Sequence, residues 1–549
     1  MSLHPELIGP VPEETARVAR TAFAKGNPYL SLRDELGLFY TDAQFADLFP
    51  TRGQPAEAPW RLALIVVLQF AENLTDRQAA EAVRSRIDWK YLLGLGLTDQ
   101  GFDHTVLSEF RSRVVAGSAE ERLLDALLRH CQDRKLLKAR GRQRTDATHV
   151  LAALRVLNRL ECVGEAMRHA LNTLAVVAPT WLQAWAPPAW VDRYAHRLES
   201  YRLPNSPAER EALACAIGAD GYQLLQMLWD AASPTELRAV EAVQVLRQIW
   251  VQQFYQQEGR VYWREDGNLP PAAQRINSPY DPQARYGTKR STTWVGYKVH
   301  LTETCDEDTP HLVTQVESTT ATGTDYDTLP PIQQDLVRRD LLPAEHFVDG
   351  GYVDAEHLVT SHEQGIDLVG PASENQNWQG RAGQGFDLGH FAIDWDARQA
   401  TCPRGQRSVK WKPSHDQRRQ PVIYVEFARA ACLACPCRGQ CTRAAVNPRS
   451  LTLRPQAQYE ALQAARARQQ TDAFKARYAA RAGIEGTLAQ AVRVFDLRRA
   501  RYIGHAKTHL QHVLIAVALN VVRLVSWLGG VPRAQTRPSP FAALMLEAA

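Results

Sequence analysis

Residues 345–372 read EHFVDGGYVDAEHLVTSHEQGIDLVGPA. The short run HFV enters Asp349-Gly350-Gly351, which predicts a strand that stops at a turn. DAEHLVTSHEQG (354–365) predicts a helix, and IDLVGPA (366–372) a further strand. Upstream, TTWVGYKVHLTET (292–304) and HLVTQVEST (311–319) predict two paired strands about the acidic turn CDEDTP, followed by a helix over TLPPIQQDLVRRDLL (328–342). TDATHVLA (145–152) predicts one more strand. Strands alternating with helices, the first strands antiparallel, make a mixed α/β sheet.

The flanks read differently. Residues 16 to about 130 are helical throughout: PWRLALIVVLQFAENL (59–74) predicts a core helix, and TDRQAAEAVRSRI and HTVLSEFRSRVV, joined by LGLTDQGFD, match a helix-turn-helix DNA reader as well as a plain bundle. The expected organisation is a helical N-terminal DNA-binding domain over 1–130 and core strands and helices over 140–155 and 260–372. A helical insertion fills 156–259, a Cys-rich insertion 373–455, and C-terminal helices 456–530. The segment 260–290 reads as loop. The stretch 456–495 reads as one long helical stretch, and the tail 531–549 as a linker before a short last helix.

The chain of 549 residues carries a net charge of +4, which permits a nucleic-acid partner without arguing for one. Its charge is locally concentrated. RKLLKARGRQR (134–144) holds six Lys or Arg and no acid, and Arg493, Arg498, Arg499 and Arg501 cluster against Asp496. Such runs suit phosphates, or simply a solvated face. The N-terminus lacks the pattern of a signal peptide. The apolar runs at 62–71 and 513–522 fall short of the roughly 20 residues that span a bilayer, so buried helices and a cytoplasmic protein are expected. In that reducing setting the nine cysteines are not a disulfide framework.

Three acids stand out. Asp146 lies within a predicted strand and Asp349 at the end of another. Glu485 lies in YAARAGIEGTLAQAVR (478–493), where helical spacing would put Tyr478, Arg481, Glu485, Leu488 and Val492 on one face. Taken alone, each acid has a plainer reading: Asp146 and Asp349 as turn formers, Glu485 as half of a surface pair with Arg481. Taken together, they are three hard oxygen donors suited to Mg²⁺ or Mn²⁺, and two such ions support phosphodiester chemistry. No Gly-x-Ser-x-Gly elbow or histidine cluster points to a different hydrolase.

TDATHV, SPYDPQARYGTKRSTTWVGYKVHLTETCD, HFVDGGYVDAEHL and YAARAGIEGTLAQAVRVFDLRRARYIGHAKTHLQHVLIAVALNVVRL resemble bacterial insertion-sequence transposases of the DDE class, above all the group called eleven-eighty-two, a relative of the groups called four and five. The resemblance runs from about residue 20 to 530. It implies an RNase-H-like catalytic fold, two Mg²⁺ ions, cleavage at inverted repeats of a mobile element, and Asp146, Asp349 and Glu485 as the catalytic and metal-binding triad. The family pattern is Tyr, two residues, Arg, three residues, Glu, six residues, Lys. Tyr478, Arg481 and Glu485 match it, whereas Val492 holds the Lys position and the nearest base is Arg493.

The residues expected to position DNA are Tyr478, Arg481, Arg493, Arg498, Arg499, Arg501, Lys507 and Lys298. The implied partners are double-stranded DNA and, in the DNA complex, a second copy of the chain; no membrane is implied. Cys432-x2-Cys435 with Cys402 and Cys441 could form a structural zinc site, leaving Cys437 spare, or the five could be reduced thiols. Two other functions stay open: a silenced transposase acting as a DNA-binding regulator, and a repair-type nuclease on the same fold.

Overall fold

A computed structural model gives the fold; it describes the chain apart from residues 1, 4, 6, 7, 375, 376, 418, 534–540, 542, 543 and 545–549. The expected short last helix falls largely outside the described residues. The central strand is β1 (Arg142–Leu151). β2 (Thr292–Thr304) runs antiparallel along one edge, with Asp146 opposite Leu301 and Arg144 opposite Glu303. β3 (Val313–Thr320) pairs antiparallel on the far side of β2, and the short strand Arg285–Lys289 continues that edge beside the start of β2. β4 (Glu345–Phe347) lies parallel on the other edge of β1, and β5 (Asp367–Val369) parallel to β4. The order is therefore β3-β2-β1-β4-β5.

Helices cover the sheet, so β1 is buried on both sides and its polar residues need partners. On one face Thr145 Oγ1 meets Thr302 Oγ1 and His346 Nε2, both at 2.7 Å, and Gln143 Nε2 donates to the Leu341 carbonyl at 2.6 Å. The other face carries Arg144, Asp146 and Thr148, and the C-terminal segment 480–498 is fastened along it. Arg144 donates to the Ala480 carbonyl, Arg481 to Asp146, and Arg498 to Thr148.

Five helices matter to the site: α1 (Pro59–Ala71), α2 (Asp325–Arg338), α3 (Ala355–Glu363), α4 (Gly483–Phe495) and α5 (His505–Leu528). α5 packs against both α1 and β3. One hydrophobic core consequently runs from Leu64 and Val67 through Leu514 and Leu519 to Val299 and Val316, joining the N-terminal helices to the sheet. α5 extends well beyond the apolar run 513–522. Among the described residues it is the one helix long and apolar enough to cross a membrane, with mean hydropathy 1.5, and 72% of that stretch is buried inside the fold.

Four local expectations need correction. The segment 260–290, expected as loop, holds two short strands, Arg260–Trp263 and Arg285–Lys289. The last helix of the insertion expected over 156–259 stops at Gln253, within IWVQQFY (249–255), and Phe254–Gln257 forms a hairpin with Arg260–Trp263. Its turn, Glu258-Gly259, has φ of 51° and 76°, a pair of positive values that suits a two-residue hairpin. The segment 373–455 is not merely irregular: Ser408–His415, Pro421–Phe427 and Ser450–Leu453 form a small sheet with its own core around Val425 and Phe427. Lastly, 456–495 is broken into Gln456–Gln469, Asp472–Tyr478, a 3₁₀ turn at Ala479–Ala482, and α4. Tyr478, Arg481 and Glu485 thus lie on three successive elements rather than on one helical face. The turn sits where Arg144 takes the Ala480 carbonyl as an acceptor.

Candidate active site

Asp146 faces the segment that carries Glu485. Its Oδ1 accepts the Ala147 N–H at 2.7 Å, and its Oδ2 accepts Arg481 Nη2 at 2.6 Å. The residue is 8% exposed. Burial pushes its carboxyl up, against the pull of Arg481 and the Ala147 N–H, and the nearby charge of Asp349 adds to the rise. Asp349 sits two residues beyond β4, where the Gly351 N–H donates to its Oδ1 at 2.8 Å. Gly351 is needed for space: a Cβ there would lie 2.8 Å from Asp325 Oδ2 and 3.0 Å from Asp349 Oδ1.

Glu485 opens α4, in the first turn, where the helix N-terminus favours an acid. Arg481 Nη1 donates to Glu485 Oε1 at 2.9 Å, so a single guanidinium bridges Asp146 and Glu485. Its Nε is buried without a hydrogen-bond partner. Tyr478 stacks on Phe474 and donates its hydroxyl to the Val348 carbonyl at 3.2 Å, next to Asp349. Burial raises its phenol; Arg481 opposes that rise, while Asp349, Asp146 and Glu485 reinforce it. All three acids therefore act electrostatically on Tyr478 and Arg481.

Two groups at this site carry no signal in the sequence pattern. Asp325 begins α2; burial raises its carboxyl, Lys298 opposes that, and Asp349 adds to it. Lys298 lies 4.0 Å from Asp325 and donates to the Gly323 carbonyl at 2.7 Å, so it supports the site's rim. Lys289, exposed at the turn between Arg285–Lys289 and β2, acts electrostatically on Asp146, His300 and Asp325. A basic residue in a loop-like segment is found only once β2 brings that turn beside β1.

The basic runs divide once folded. In 134–144, Lys138 pairs with Asp308, Arg142 with Glu345, and Arg144 with the buried Glu303. Arg144 is thus spent inside the protein and Arg142 half-buried, whereas Arg134, Lys135, Lys138 and Arg140 stay exposed. Arg501 is likewise engaged: it lies 4.5 Å over the Phe70 ring and donates to Leu74 O and Asn73, tying the C-terminal region to the end of α1. Arg498 is held by Thr148, two residues along β1 from Asp146. Arg493, Arg499 and Lys507 are exposed. In the helix-turn-helix segment, Arg111 is buried against Asp76 at 2.6 Å.

Cys402, Cys432, Cys435, Cys437 and Cys441 all line one small cavity of about 40 Å³, with Arg449 beside them. Burial raises the Cys441 thiol, Arg449 opposes that, and Cys402, Cys432 and Cys435 reinforce it. The thiols are neighbours, yet among the described residues no three His, Cys, Asp or Glu side chains are gathered into a metal-ligating set, either here or around Asp146. The donor chemistry at Asp146 nevertheless fits a divalent cation. Asp146 and Asp349 offer hard carboxylate oxygens and Asp146 is pushed up by burial and by Asp349, while Arg481 holds the place between Asp146 and Glu485 that a cation would share.

No curated protein matches the chain. Two family models do. Residues 18–113 match a Transposase domain (DUF772), and residues 401–525 match a Transposase DDE domain. The second match covers Glu485, α4 and nearly all of α5, and DDE transposases use divalent metal ions. A match to a transposase domain over the N-terminal helices and to a Transposase DDE domain over the C-terminal helices, beside a mixed sheet of the RNase-H-like kind, indicates an insertion-sequence DDE transposase.

Proposed function

We propose that the protein cuts DNA at the inverted-repeat ends of a mobile element and joins the freed ends to target DNA, with Asp146, Asp349 and Glu485 as its catalytic acids. The observation that carries this reading is the bridge Asp146–Arg481–Glu485, with Asp349 close enough to raise Asp146. In the cutting step a water oxygen bonds to phosphorus, its proton leaves, and the P–O3′ bond breaks to give a 3′ hydroxyl and a 5′ phosphate. In the joining step that 3′ hydroxyl attacks a target phosphorus and another 3′ oxygen departs. Two Mg²⁺ or Mn²⁺ ions, for which the three carboxylates are the fitting donors, would activate the attacking oxygen and stabilise the leaving one.

The chain's own residues do the rest. Arg481 orients Glu485 and Asp146. Tyr478 holds the Asp349 turn through Val348. Lys289, Arg493, Arg499 and Lys507 supply exposed positive charge for the duplex backbone. The helical segment 18–113 contributes DNA contact, two copies pair two ends, and the work is done on the bacterial nucleoid. Membership of the eleven-eighty-two group belongs to the same reading. Cys402, Cys432, Cys435 and Cys441 hold a structural Zn²⁺, supported by the shared cavity they line.

Asp349→Asn keeps the shape of the turn and removes the charge. The variant should bind a terminal-repeat duplex like wild type and fail to cut it in Mg²⁺. Cutting at the wild-type rate overturns the assignment, and cutting without any joining favours a repair-type nuclease.

A further inference from the structure

Behind the candidate acids lies a second charged cluster that the proposed chemistry does not use. Glu303 on β2 is 0% exposed. It accepts from Arg144 of β1 (Nε, 2.7 Å), from Arg523 of α5 (Nη1, 2.7 Å) and from the Thr487 hydroxyl of α4 (2.6 Å). Arg523 Nη2 also donates to Thr487 at 2.6 Å. One carboxylate thus gathers β1, β2, α4 and α5. A carboxylate so deeply buried is retained only when its partners are complete. Burial would raise it, and the charges of Arg523 and Arg144 overcome that and hold it low.

The cluster is placed where the site needs definition. Arg144 is two residues before Asp146 on the same face of β1, and its Nη1 holds the Ala480 carbonyl at 2.7 Å, one residue before Arg481. Thr487 is two residues after Glu485. The guanidinium passes directly under Gly483, where any side chain would strike it. The segment carrying Arg481 and Glu485 is therefore gripped on both sides, at Ala480 and at Thr487, by groups whose common anchor is Glu303. Apolar packing of Ile484 and Ala480 and the Arg481–Asp146 pair also hold this segment, whereas Glu485 itself is largely exposed, at 65% of its side chain, and takes its place from the backbone that carries it.

The geometry points to Glu303, with Arg144, Arg523 and Thr487, as the positioning device that sets Glu485 and Arg481 against Asp146. This inference rests on the reading of those three residues as the working site. Glu303 would touch neither DNA nor metal; it acts through α4.

The test uses the full-length protein with a terminal-repeat duplex and compares wild type with Glu303→Gln, Thr487→Val and Thr487→Ser. Hydrogen exchange over residues 479–490 is read without DNA or metal. For Glu303→Gln and Thr487→Val it should rise by about tenfold there, with little change in α1 or β1. Single-turnover cleavage should fall by about 100-fold in both variants while the Kd for the duplex stays within about twofold of wild type. Thr487→Ser, which keeps the hydroxyl, should bring the rate back to within about threefold of wild type. Unchanged exchange at 479–490, or Thr487→Ser as impaired as Thr487→Val, overturns the inference. If Glu303→Gln does not fold, the Thr487 pair carries the test, since it leaves both arginines on Glu303. If wild type itself does not cleave, the transposition reading falls, and the exchange comparison still decides the role of Glu303.

Discussion

Replacing Gly483 by alanine sets two effects of opposite sign against each other. Gly483 has φ −64°, a conformation any residue adopts, and it opens α4. Helix propensity alone therefore predicts that Gly483→Ala stabilises the protein by up to about 1 kcal/mol. Space predicts the reverse. A Cβ there would lie 1.9 Å from Arg144 Nη1, 2.3 Å from Cζ and 2.6 Å from Nη2. The guanidinium has no easy retreat, because its side chain is 8% exposed and is held by Glu303 and the Ala480 carbonyl. Breaking one arm of a buried pair costs about 3–5 kcal/mol, and the lower end applies because Arg523 and Thr487 still serve Glu303. Subtracting the gain in propensity leaves a net loss of about 2 kcal/mol, or a Tm lower by roughly 2 °C. Thermal unfolding of wild type, Gly483→Ala, Arg144→Ala and the double variant measures this directly. In the Arg144→Ala background the clash is gone, and Gly483→Ala should be neutral or stabilising. A Tm at or above wild type for the single variant, or an equal drop in both backgrounds, refutes the reasoning.

The pH dependence of stability should contain a contribution from Glu317. Burial raises its carboxyl to about 7, with His509 opposing and Asp335 and Glu121 adding to the rise. The folded state then binds this proton more tightly than the unfolded chain, so its contribution to stability falls as pH rises from about 4.5 through 7. Glu317→Gln should flatten the stability profile across that window, and an unchanged profile would count against the shift. Arg501→Ala should lower Tm without altering the salt dependence of DNA binding, whereas Arg499→Ala should reduce the slope of log K against log salt by about 1; the opposite pattern would reverse their assignments. Elemental analysis should find one Zn per chain, lost with folding stability in Cys435→Ser, and a zinc-free protein of unchanged stability would sink the zinc reading.

The strand segments were legible in the sequence because each couples a β-rich run to a turn signal. HFV before Asp349-Gly350-Gly351 and the pair flanking CDEDTP both report local chemistry, and both emerge as strands of the sheet. Glu485 and Arg481 were legible as a pair because a spacing of four brings them together even though a 3₁₀ turn interrupts the helix. The small sheet within 373–455 was hidden by composition, since its edge strand is mostly polar and exposed. The hairpin at 254–263 was hidden because WVQQFY serves helix and strand patterns equally well.

What the sequence determined by itself is local: which runs form strands, where turns interrupt them, and that acids stand at Asp146, Asp349 and Glu485. Which charges are free to meet DNA was decided only by the tertiary structure. Arg142, Arg144 and Arg501 look like any surface arginine along the chain, and folding spends them on Glu345, Glu303 and the end of α1. Glu303 shows the same limit from the other side. In sequence it is one acid in an alternating strand. Its burial at 0% exposure, and the need for Arg144, Arg523 and Thr487 to meet it, arise only when partners up to 220 positions away from it come together. A buried charge is costly without complete partners, and their completeness is a property of three-dimensional packing that no local pattern encodes.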